Sequence, residues 1–240
     1  MKNILIFSFL LVWNFVQAQK QITTGAITFG IVGFDMNDPK SKEMNNPQTL
    51  EMFKNMMKYT IYFSPEHQKM NTDVMNGMSR TQVYYDVNGS KSVTYMDMMG
   101  KKYKILNQVS QLSDTSKMSD IEIKYDKADT KKILDFDCYK AIITIKNIPV
   151  KDKKSPSELT MNCYLTDQIA PSKLSMNYYG GKLKGFPLEF GIDAQKMKMI
   201  LAATAFKENV DPSEFTEPSG YQEITKEEFE KEIGKGFNKN

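Results

Sequence analysis

The stretch Lys196-Met197-Lys198-Met199-Ile200-Leu201-Ala202-Ala203-Thr204-Ala205-Phe206 decides the fold class of this chain. It begins as a strict alternation of charged and apolar residues and ends as an apolar run, which is typical of a strand that becomes buried along its length. Upstream of it, the paired glycines Gly180-Gly181 predict a turn, and Gly185-Phe186-Pro187 predicts the start of an extended segment because proline restricts φ. We therefore predict one of the last long strands of an antiparallel sheet here.

Working outward from this strand, further alternating runs predict about nine or ten strands in all. They cover residues 22–34, 59–63, 81–86, 91–96, 102–106, 121–125, 133–146 and 159–166. Between two of these runs stands Asn88-Gly89, the strongest short signal of a β-hairpin. The connections are therefore expected to be mostly hairpins.

Two segments with helical spacing of apolar residues predict short helices. The first begins at Pro47, a residue favoured in the first turn of a helix. The second opens with the capping box Thr225-Lys226-Glu227-Glu228, and Gly234 and Gly236 are expected to end it. Residues 207–219 contain Pro212 and Pro218 and are not expected to form a central strand.

These elements predict a mainly β protein with two or three short helices. Strands that alternate bury one face, and a sheet of this size curls, so we expect a curved antiparallel sheet that forms an incomplete barrel. The helices would pack inside or against the concave face. No repeat and no linker-like change of composition divides the chain, so residues 19–240 are expected to be a single β domain with a C-terminal helix.

The first eighteen residues have the organisation of a signal peptide. Lys2 gives the charged start, Ile4 to Val16 the apolar centre, and Val16-Gln17-Ala18 a small-residue cleavage site before Gln19. The apolar part is about thirteen residues long, shorter than the roughly twenty of a membrane-spanning helix. We expect an exported protein, periplasmic or secreted, with no transmembrane segment after cleavage, and an uncleaved anchor is the alternative.

Charge argues against nucleic acid as a partner. The chain has 32 basic and 29 acidic residues, and the lysines alternate with acidic residues instead of forming a basic stripe. With 40% hydrophobic and 25% charged residues, the composition is that of a chain with a sizeable core.

Four motifs resemble those of the GLPGLI-type exported proteins of Gram-negative bacteria and their relatives. They are, in chain order, Ile133 to Ala141, Tyr164 to Ile169, Gly185 to Phe190, and Phe215 to Tyr221 with Pro218 and Gly220. Asp135 stands where the family has a glycine, no Trp precedes Tyr164, and Leu188-Glu189-Phe190 replaces Gly-Leu-Ile. The resemblance covers the second half of the chain and implies a fold of the LolA/LppX-like lipoprotein-carrier type, an incomplete barrel around an apolar cavity, without implying any catalytic residue.

The residues favour no enzyme, no metal site of common type and no cofactor. His67 is the single His and stands beside Pro65-Glu66, where a solvated surface residue is expected. No nucleophile elbow accompanies it. One His and two separated Cys do not supply a zinc site, and Gly180-Gly181-Lys182 precedes a strand-like segment and not the helix that a phosphate loop requires.

Cys138 and Cys163 are the only cysteines, and export favours their oxidation. A register that places Cys138 opposite Cys163 allows a disulfide. A register one residue away pairs Tyr139 with Cys163 and Ala141 with Met161, which buries more apolar surface and places the two cysteines on opposite faces. A bulge near Asp137 would reconcile the two registers, so the sequence leaves the disulfide open.

Methionine is unusually frequent, with 17 residues. Three clusters stand out: Met56-Met57, Met75 with Met78, and Met96 with Met98-Met99. Thioethers bind soft Cu(I), so one hypothesis is copper handling. The alternative is that these methionines are flexible core fillers that adapt to varied apolar ligands.

The function that the sequence favours is a non-enzymatic periplasmic binding protein for a lipid or another hydrophobic small molecule, held in an apolar cavity. An envelope interaction or stress-response module with a filled cavity, which contacts a protein partner through loops such as 151–155, is a second hypothesis. The predicted cavity lining is Phe53, Met56, Met57, Tyr84, Tyr95, Ile143, Met161, Met197, Met199 and Leu201.

Overall fold

The computed structural model describes residues 21–36, 46–75, 77–85, 91–98, 100–108, 120–148, 157–170, 183–194 and 197–237. The predicted signal peptide, the predicted Asn88-Gly89 turn and the loop at 151–155 lie outside the described residues.

Strands dominate the described chain. They are β1 (Gly25–Met36), β2 (Met57–Phe63), β3 (Gln68–Val74), β4 (Ser79–Tyr85), β5 (Lys91–Met98), β6 (Lys101–Gln108), β7 (Asp120–Ile133), β8 (Phe136–Ile148), β9 (Ser157–Thr166), β10 (Phe186–Ala194), β11 (Met197–Lys207) and β12 (Gln222–Ile224). The helices are α1 (Pro47–Met56), a 3-10 turn at Pro212–Phe215, and α2 (Lys226–Phe237).

All strands belong to one 12-stranded sheet with the order β12-β6-β5-β4-β3-β2-β1-β11-β10-β9-β8-β7. Every neighbouring pair is antiparallel except β12 with β6, which is parallel. The sheet is curved and open, with β12 and β7 at its two ends. The predicted fold class, a mainly β protein built on an incomplete barrel with few helices, is confirmed.

The predicted strands needed three corrections. β12 (Gln222–Ile224) lies in a stretch for which no strand was predicted. β3 was missed because its sequence, Gln68 to Val74, is polar and does not alternate between apolar and polar residues. The predicted strand at 133–146 in fact contains a turn, since β7 ends at Ile133 and β8 starts at Phe136. Leu134 makes this turn with a φ of 53°, in the left-handed region.

Contacts between distant strands show how strongly the sheet curls. The rings of Phe136 in β8 and Phe206 in β11 lie 5.0 Å apart, although β9 and β10 lie between those strands. At the same end of the sheet, the amide of Ile22 donates to the carbonyl of Gln168 (2.8 Å), and the amide of Ala170 donates to the carbonyl of Ile22 (2.9 Å). The segment after β9 thus reaches the start of β1 and closes one end of the curved sheet.

Both helices begin where the sequence predicts. Pro47 opens α1, and the side chain of Asn46 accepts from the amide of Thr49 (2.9 Å). Before α2, the amide of Thr225 donates to the Glu228 carboxylate (2.8 Å), and the amide of Glu228 donates to the Thr225 hydroxyl (3.1 Å), which completes the predicted capping box. The expected stop at Gly234 and Gly236 was wrong, because α2 continues to Phe237.

Candidate functional site

The two faces of the sheet can be followed through β1 to β6, where the register is uninterrupted. Side chains directly opposite each other in antiparallel strands share a face. One face, called the inner face here, carries the row Phe29, Tyr59, Thr72, Thr81, Met96 and Tyr103. The other, called the outer face, carries the row Thr28, Thr60, Asn71, Gln82, Tyr95 and Lys104.

Helices α1 and α2 both pack on the inner face. Phe53 of α1 stacks on Phe34 of β1 with ring centroids 4.0 Å apart. Phe229 of α2 meets Tyr103 of β6 edge to face at 5.6 Å. The apolar stripe of each amphipathic helix thus covers part of the concave side, as the sequence predicts.

An apolar pocket of about 220 Å³ opens on the inner face. It is lined by three strands that lie together and by one that the curl brings across: Phe29, Met57, Tyr59, Ile61, Gln68, Met70, Thr72, Phe186, Pro187 and Phe190. None of these lining side chains is charged. The pocket is therefore suited to an uncharged, apolar group.

Aromatic rings make the walls of this pocket rigid. Phe29 and Tyr59 are stacked, with ring centroids 4.6 Å apart and planes 5° from parallel. Phe29, Phe63 and Phe186 belong to one buried core cluster, against which Tyr59, Ile61 and Phe190 pack. The pocket is thus a gap at the margin of a packed core.

Gln68 is the most buried polar residue of the lining, with 3% of its surface exposed. It pairs with Phe63 at the start of β3 and so lies at the end of the pocket that faces the Ile22–Gln168 contacts. A side-chain amide offers both hydrogen-bond donors and an acceptor.

A second hollow, larger than this pocket, is of a different kind. It measures about 570 Å³ and lies between β6, β12 and α2. Its lining is mostly charged or polar: Lys101, Lys102, Tyr103, Gln222, Ile224, Glu228, Lys231 and Glu232. Both signs of charge are present, so this hollow is a solvated groove between elements and not a site for an apolar ligand.

Of the predicted lining residues, Met57 lines the pocket. Leu201 lies beside it, because it pairs with Phe190 across β10 and β11 and packs against the same core cluster. The register also places Met199, Met161 and Ile143 on this face, as part of the row Phe34, Met199, Ile192, Met161, Ile143 and Ile123. Ile143 and Met161 are buried in a second core cluster together with Leu183.

Tyr84 and Tyr95 lie on the outer face, opposite to the position predicted for them. The segment 211–221, called the strap here, covers them. The hydroxyl of Tyr84 donates to the carbonyl of Thr216 (3.0 Å), and that of Tyr95 donates to the Glu217 carboxylate. Burial raises the pKa of Tyr84 to about 12, and burial together with Glu217 raises the pKa of Tyr95 as well.

The remaining predicted residues belong to α1 (Phe53 and Met56) and to the start of β11 (Met197). Phe53 stacks on Phe34, as described, and Met56 ends α1, where its carbonyl accepts from the amide of Met75 (2.8 Å). Met197 begins β11 opposite Met36.

Sequence reasoning missed most of the pocket. Tyr59 and Ile61 alternate with Met57, so the predicted strand at 59–63 contained the signal for them. Met70 and Thr72 carried no such signal because β3 is polar. Phe186 and Phe190 reach the pocket only because the sheet curls. A local sequence pattern does not predict this curl.

The two cysteines are free and buried. Cys163 pairs with Ala141 across β8 and β9, and Cys138 lies three positions from Ala141 along β8. Because successive side chains of a strand alternate, the two thiols point to opposite faces, and the structure contains no disulfide between them. Neither register considered from the sequence is the observed one, although the second already placed the cysteines on opposite faces.

His67 is an exposed residue in the turn between β2 and β3, as predicted. Its amide donates to the Ser64 hydroxyl (2.9 Å), and its ring lies 5.6 Å from that of Phe215. Within the described part of the chain, no group of His, Cys, Asp and Glu is arranged to hold a metal ion. None of the helices in that part is both long and apolar enough to span a membrane.

Comparisons with known proteins show a similarity of fold. No protein-family model and no curated protein matches the chain, so its place among the GLPGLI-type proteins stays a prediction. The chain is similar to the structure of PNGF-II, with a TM-score of 0.51, 14% identity, and coverage of 89% of this chain and 34% of that one. It thus spans about a third of the PNGF-II chain.

Two mycobacterial proteins are also among the structural neighbours. The lipoprotein LppX of Mycobacterium tuberculosis has a TM-score of 0.32 and 13% identity over 79% of this chain and 89% of its own. LprF of Mycobacterium bovis has a TM-score of 0.34 and 11% identity over 85% of this chain and 93% of its own.

Proposed function

We propose that this protein is a non-enzymatic binding protein that holds a lipid or another hydrophobic small molecule in the inner-face pocket. The observation that carries the proposal is the lining, which contains aromatic, aliphatic and thioether side chains and no charged one. Such a pocket binds by removing apolar surface from water, at about 25 cal/mol per Å².

The size of the pocket restricts the ligand. Its volume of about 220 Å³ is below the roughly 300–1,000 Å³ of common small-molecule sites. It therefore suits a single short apolar segment, such as the end of one acyl chain, better than a complete lipid. Each buried methylene would contribute about 0.8 kcal/mol.

Gln68 is the most buried polar side chain of the pocket lining. A hydroxyl, ester or amide group of the ligand would bind there more favourably than a carboxylate, because no cation lines the pocket to offset the desolvation of a charge. We expect an uncharged or weakly polar end group at this position.

The signal-like residues 1–18 support export, and the proposed location is the periplasm of a Gram-negative cell or its exterior. The four motifs support membership in the wider GLPGLI-type group. An exported carrier of apolar molecules is consistent with both, since such molecules need a soluble container between membranes.

Native mass spectrometry of protein purified from its own envelope, without detergent exchange, tests the proposal. A co-purifying lipid-like mass that is lost on denaturation is expected. Protein without any bound molecule, which also fails to take up a fluorescent apolar probe, would support instead the envelope interaction module with a filled cavity.

Two matched variants assign the binding to the pocket. Met70→Gln keeps the length of a lining side chain and makes it polar, so binding of the probe should weaken by about tenfold or more. Leu106→Gln makes the same kind of change at an exposed residue in register with the outer face and should leave binding unchanged. Equal affinities for both variants would place the ligand elsewhere.

A further inference from the structure

Two of the three methionine clusters, Met56-Met57 and Met75 with Met78, are separate in the sequence and meet at one corner of the sheet. Met56 ends α1, and its carbonyl accepts from the amide of Met75 (2.8 Å) at the end of β3. Met75 and Met78 close the hairpin between β3 and β4, where the amide of Met78 donates to the carbonyl of Met75 (3.4 Å). Met52 lies one turn before Met56 on α1, on the same side of the helix.

Three of these side chains are exposed: Met52 to 54%, Met75 to 50% and Met78 to 59%. A methionine that fills gaps in a core is buried, so the core-filler hypothesis does not explain these three residues. All three side chains are accessible from solvent.

The backbone also distinguishes Met75. Its φ of 52° lies in the left-handed region, which favours Gly, Asn or Asp at such a turn. Methionine is a poor choice there for conformation alone, so its presence calls for a role of the side chain.

The charged side chains nearest the hairpin between β3 and β4 are of opposite sign, so the net charge there is close to zero. Asp73 accepts from the amide of Gly77 (2.6 Å) and pairs with Arg80 (3.4 Å), so the charges nearest the hairpin offset each other. Hard divalent ions need carboxylate or carbonyl oxygens, whereas neutral thioethers suit a soft monovalent ion.

We propose that Met52, Met56, Met75 and Met78 form a thioether site for Cu(I). Met56 and Met75 are joined by a backbone hydrogen bond, and Met75 and Met78 are the two ends of one turn, whose Cα atoms lie within about 7 Å. Unbranched side chains with three rotatable bonds can bring sulfurs from these positions to one ion. Binding involves no change in the oxidation state of the metal. The site is independent of the apolar pocket.

Competition with a colorimetric Cu(I) chelator under anaerobic conditions tests the site. The wild-type protein should bind one Cu(I) with a Kd tighter than about 1 μM. The double variant Met75→Leu/Met78→Leu keeps apolar side chains of similar volume and removes two thioethers, so its affinity should fall by at least about tenfold. Met161→Leu, a change in the buried core of β9, is the matched control and should bind like the wild type.

Titration with Ag(I), followed by NMR, identifies the residues that bind the metal. Ag(I) is a soft ion that keeps its oxidation state under these conditions. In protein labelled with ¹³C at the methionine methyl groups, the resonances of Met75 and Met78 should shift first, and that of Met161 should not move. The proposal is overturned if the wild type binds no tighter than about 1 μM, or if the double leucine variant binds as tightly as the wild type.

Discussion

The rings of Phe63 in β2 and Phe186 in β10 lie 5.7 Å apart, although β1 and β11 stand between their strands in the sheet. Three strand spacings in a flat sheet amount to about 14 Å. The contact therefore exists only because the sheet curls, which also brings Phe186 to the pocket lining. Both rings are almost completely buried.

Removal of either ring should strongly destabilise the fold. Phe186→Ala is expected to lower the free energy of unfolding by about 3–5 kcal/mol, since it deletes a buried ring and leaves a cavity. The double variant with Phe63→Ala should cost less than the two single changes together, because the two rings share a contact. Urea unfolding followed by circular dichroism measures all three.

Phe53→Ala serves as the reference for that cycle, because Phe53 stacks on Phe34, at the other end of β1 from Gly25, which pairs with Phe63. Its effect should add to that of Phe186→Ala within about 0.5 kcal/mol. Strict additivity between Phe63 and Phe186 would contradict a direct contact between them.

Gly185 should tolerate no larger residue. Its φ is +91°, and a Cβ atom there would lie 2.8 Å from the Tyr139 hydroxyl, which itself donates to Asp167 (2.8 Å). Gly185→Ala is expected to destabilise by about 2–3 kcal/mol through backbone strain and this clash. Thermal or urea unfolding would show the loss.

Gly220 provides a matched control for that substitution. It has a similar φ of +80°, but a Cβ atom there would meet nothing within 4 Å. Gly220→Ala should therefore lower the free energy of unfolding by only about 1 kcal/mol, the contribution of backbone strain without a clash. The additional change Tyr139→Phe should recover part of the loss in Gly185→Ala, since it removes the nearest atom, and no recovery would argue against the clash.

The strap is held by a buried ammonium group. Lys69 is 4% exposed; its Nζ lies 3.0 Å from the Glu214 carboxylate and 4.6 Å from the centre of the Tyr62 ring. Glu214→Gln leaves the Lys69 ammonium group without its ion-pair partner and should lower the free energy of unfolding by about 1–2 kcal/mol. The loss is smaller than for a fully buried ion pair because Glu214 is partly exposed.

Lys69→Met removes the charge together with its desolvation penalty and should therefore cost less than Glu214→Gln. Urea unfolding of both variants checks the order. A larger loss for Lys69→Met would mean that the contacts of the ammonium group with Tyr62 and Tyr84 outweigh the ion pair.

The buried thiols should make the fold sensitive to alkaline pH. Burial raises the pKa of Cys138 to about 11 and that of Cys163 to about 12, from an ordinary value near 9.0. Between pH 9.0 and these values the unfolded chain loses thiol protons that the folded chain keeps. The unfolded state then binds fewer protons, so the free energy of unfolding falls as the pH rises.

The variant Cys138→Ala/Cys163→Ala should lose stability less steeply over that range than the wild type. The difference in slope is at most about 1.4 kcal/mol per pH unit for each thiol. Denatured but unreduced wild-type protein should also show two free thiols that react slowly in the native state. Equal slopes, or the absence of free thiols, would contradict the arrangement of the cysteines.

Replacing Leu134 with a residue that tolerates a positive φ should stabilise the fold. It is 38% exposed and has a φ of 53° in the turn between β7 and β8. Leu134→Asn introduces a residue that tolerates the left-handed region and should raise the free energy of unfolding by about 0.5–1 kcal/mol. Leu159→Asn, a polar change at a half-buried residue that packs against the core, should lower it.

Much of the fold was predictable because its strands alternate. Residues 91–96 and 102–106 lie within the observed β5 and β6, and Gly100, with a φ of 79°, lies between these two strands. β3 was not predicted because its sequence is polar. It forms a strand in the middle of the sheet because it pairs with β2 on one side and β4 on the other. Tertiary pairing can override local preference in this way.

The pocket was less predictable than the fold. Tyr84 and Tyr95 are aromatic residues in strands, and nothing in their own sequence says which face they occupy. The strap covers the outer face and makes it a suitable environment for aromatic rings, and its Thr216 lies 132 residues after Tyr84 in the chain. An apolar residue in an alternating strand therefore does not identify the concave side.

The amino-acid sequence by itself determined that this chain forms one mainly antiparallel sheet with two capped helices, because alternation, turn residues and capping boxes act over a few neighbouring residues. Only the tertiary structure decided which side chains line the pocket, that the cysteines stay apart and that the backbones of Met56 and Met75 are hydrogen-bonded. These features depend on register and curl, and a shift of one residue in register moves every side chain of a strand to the other face.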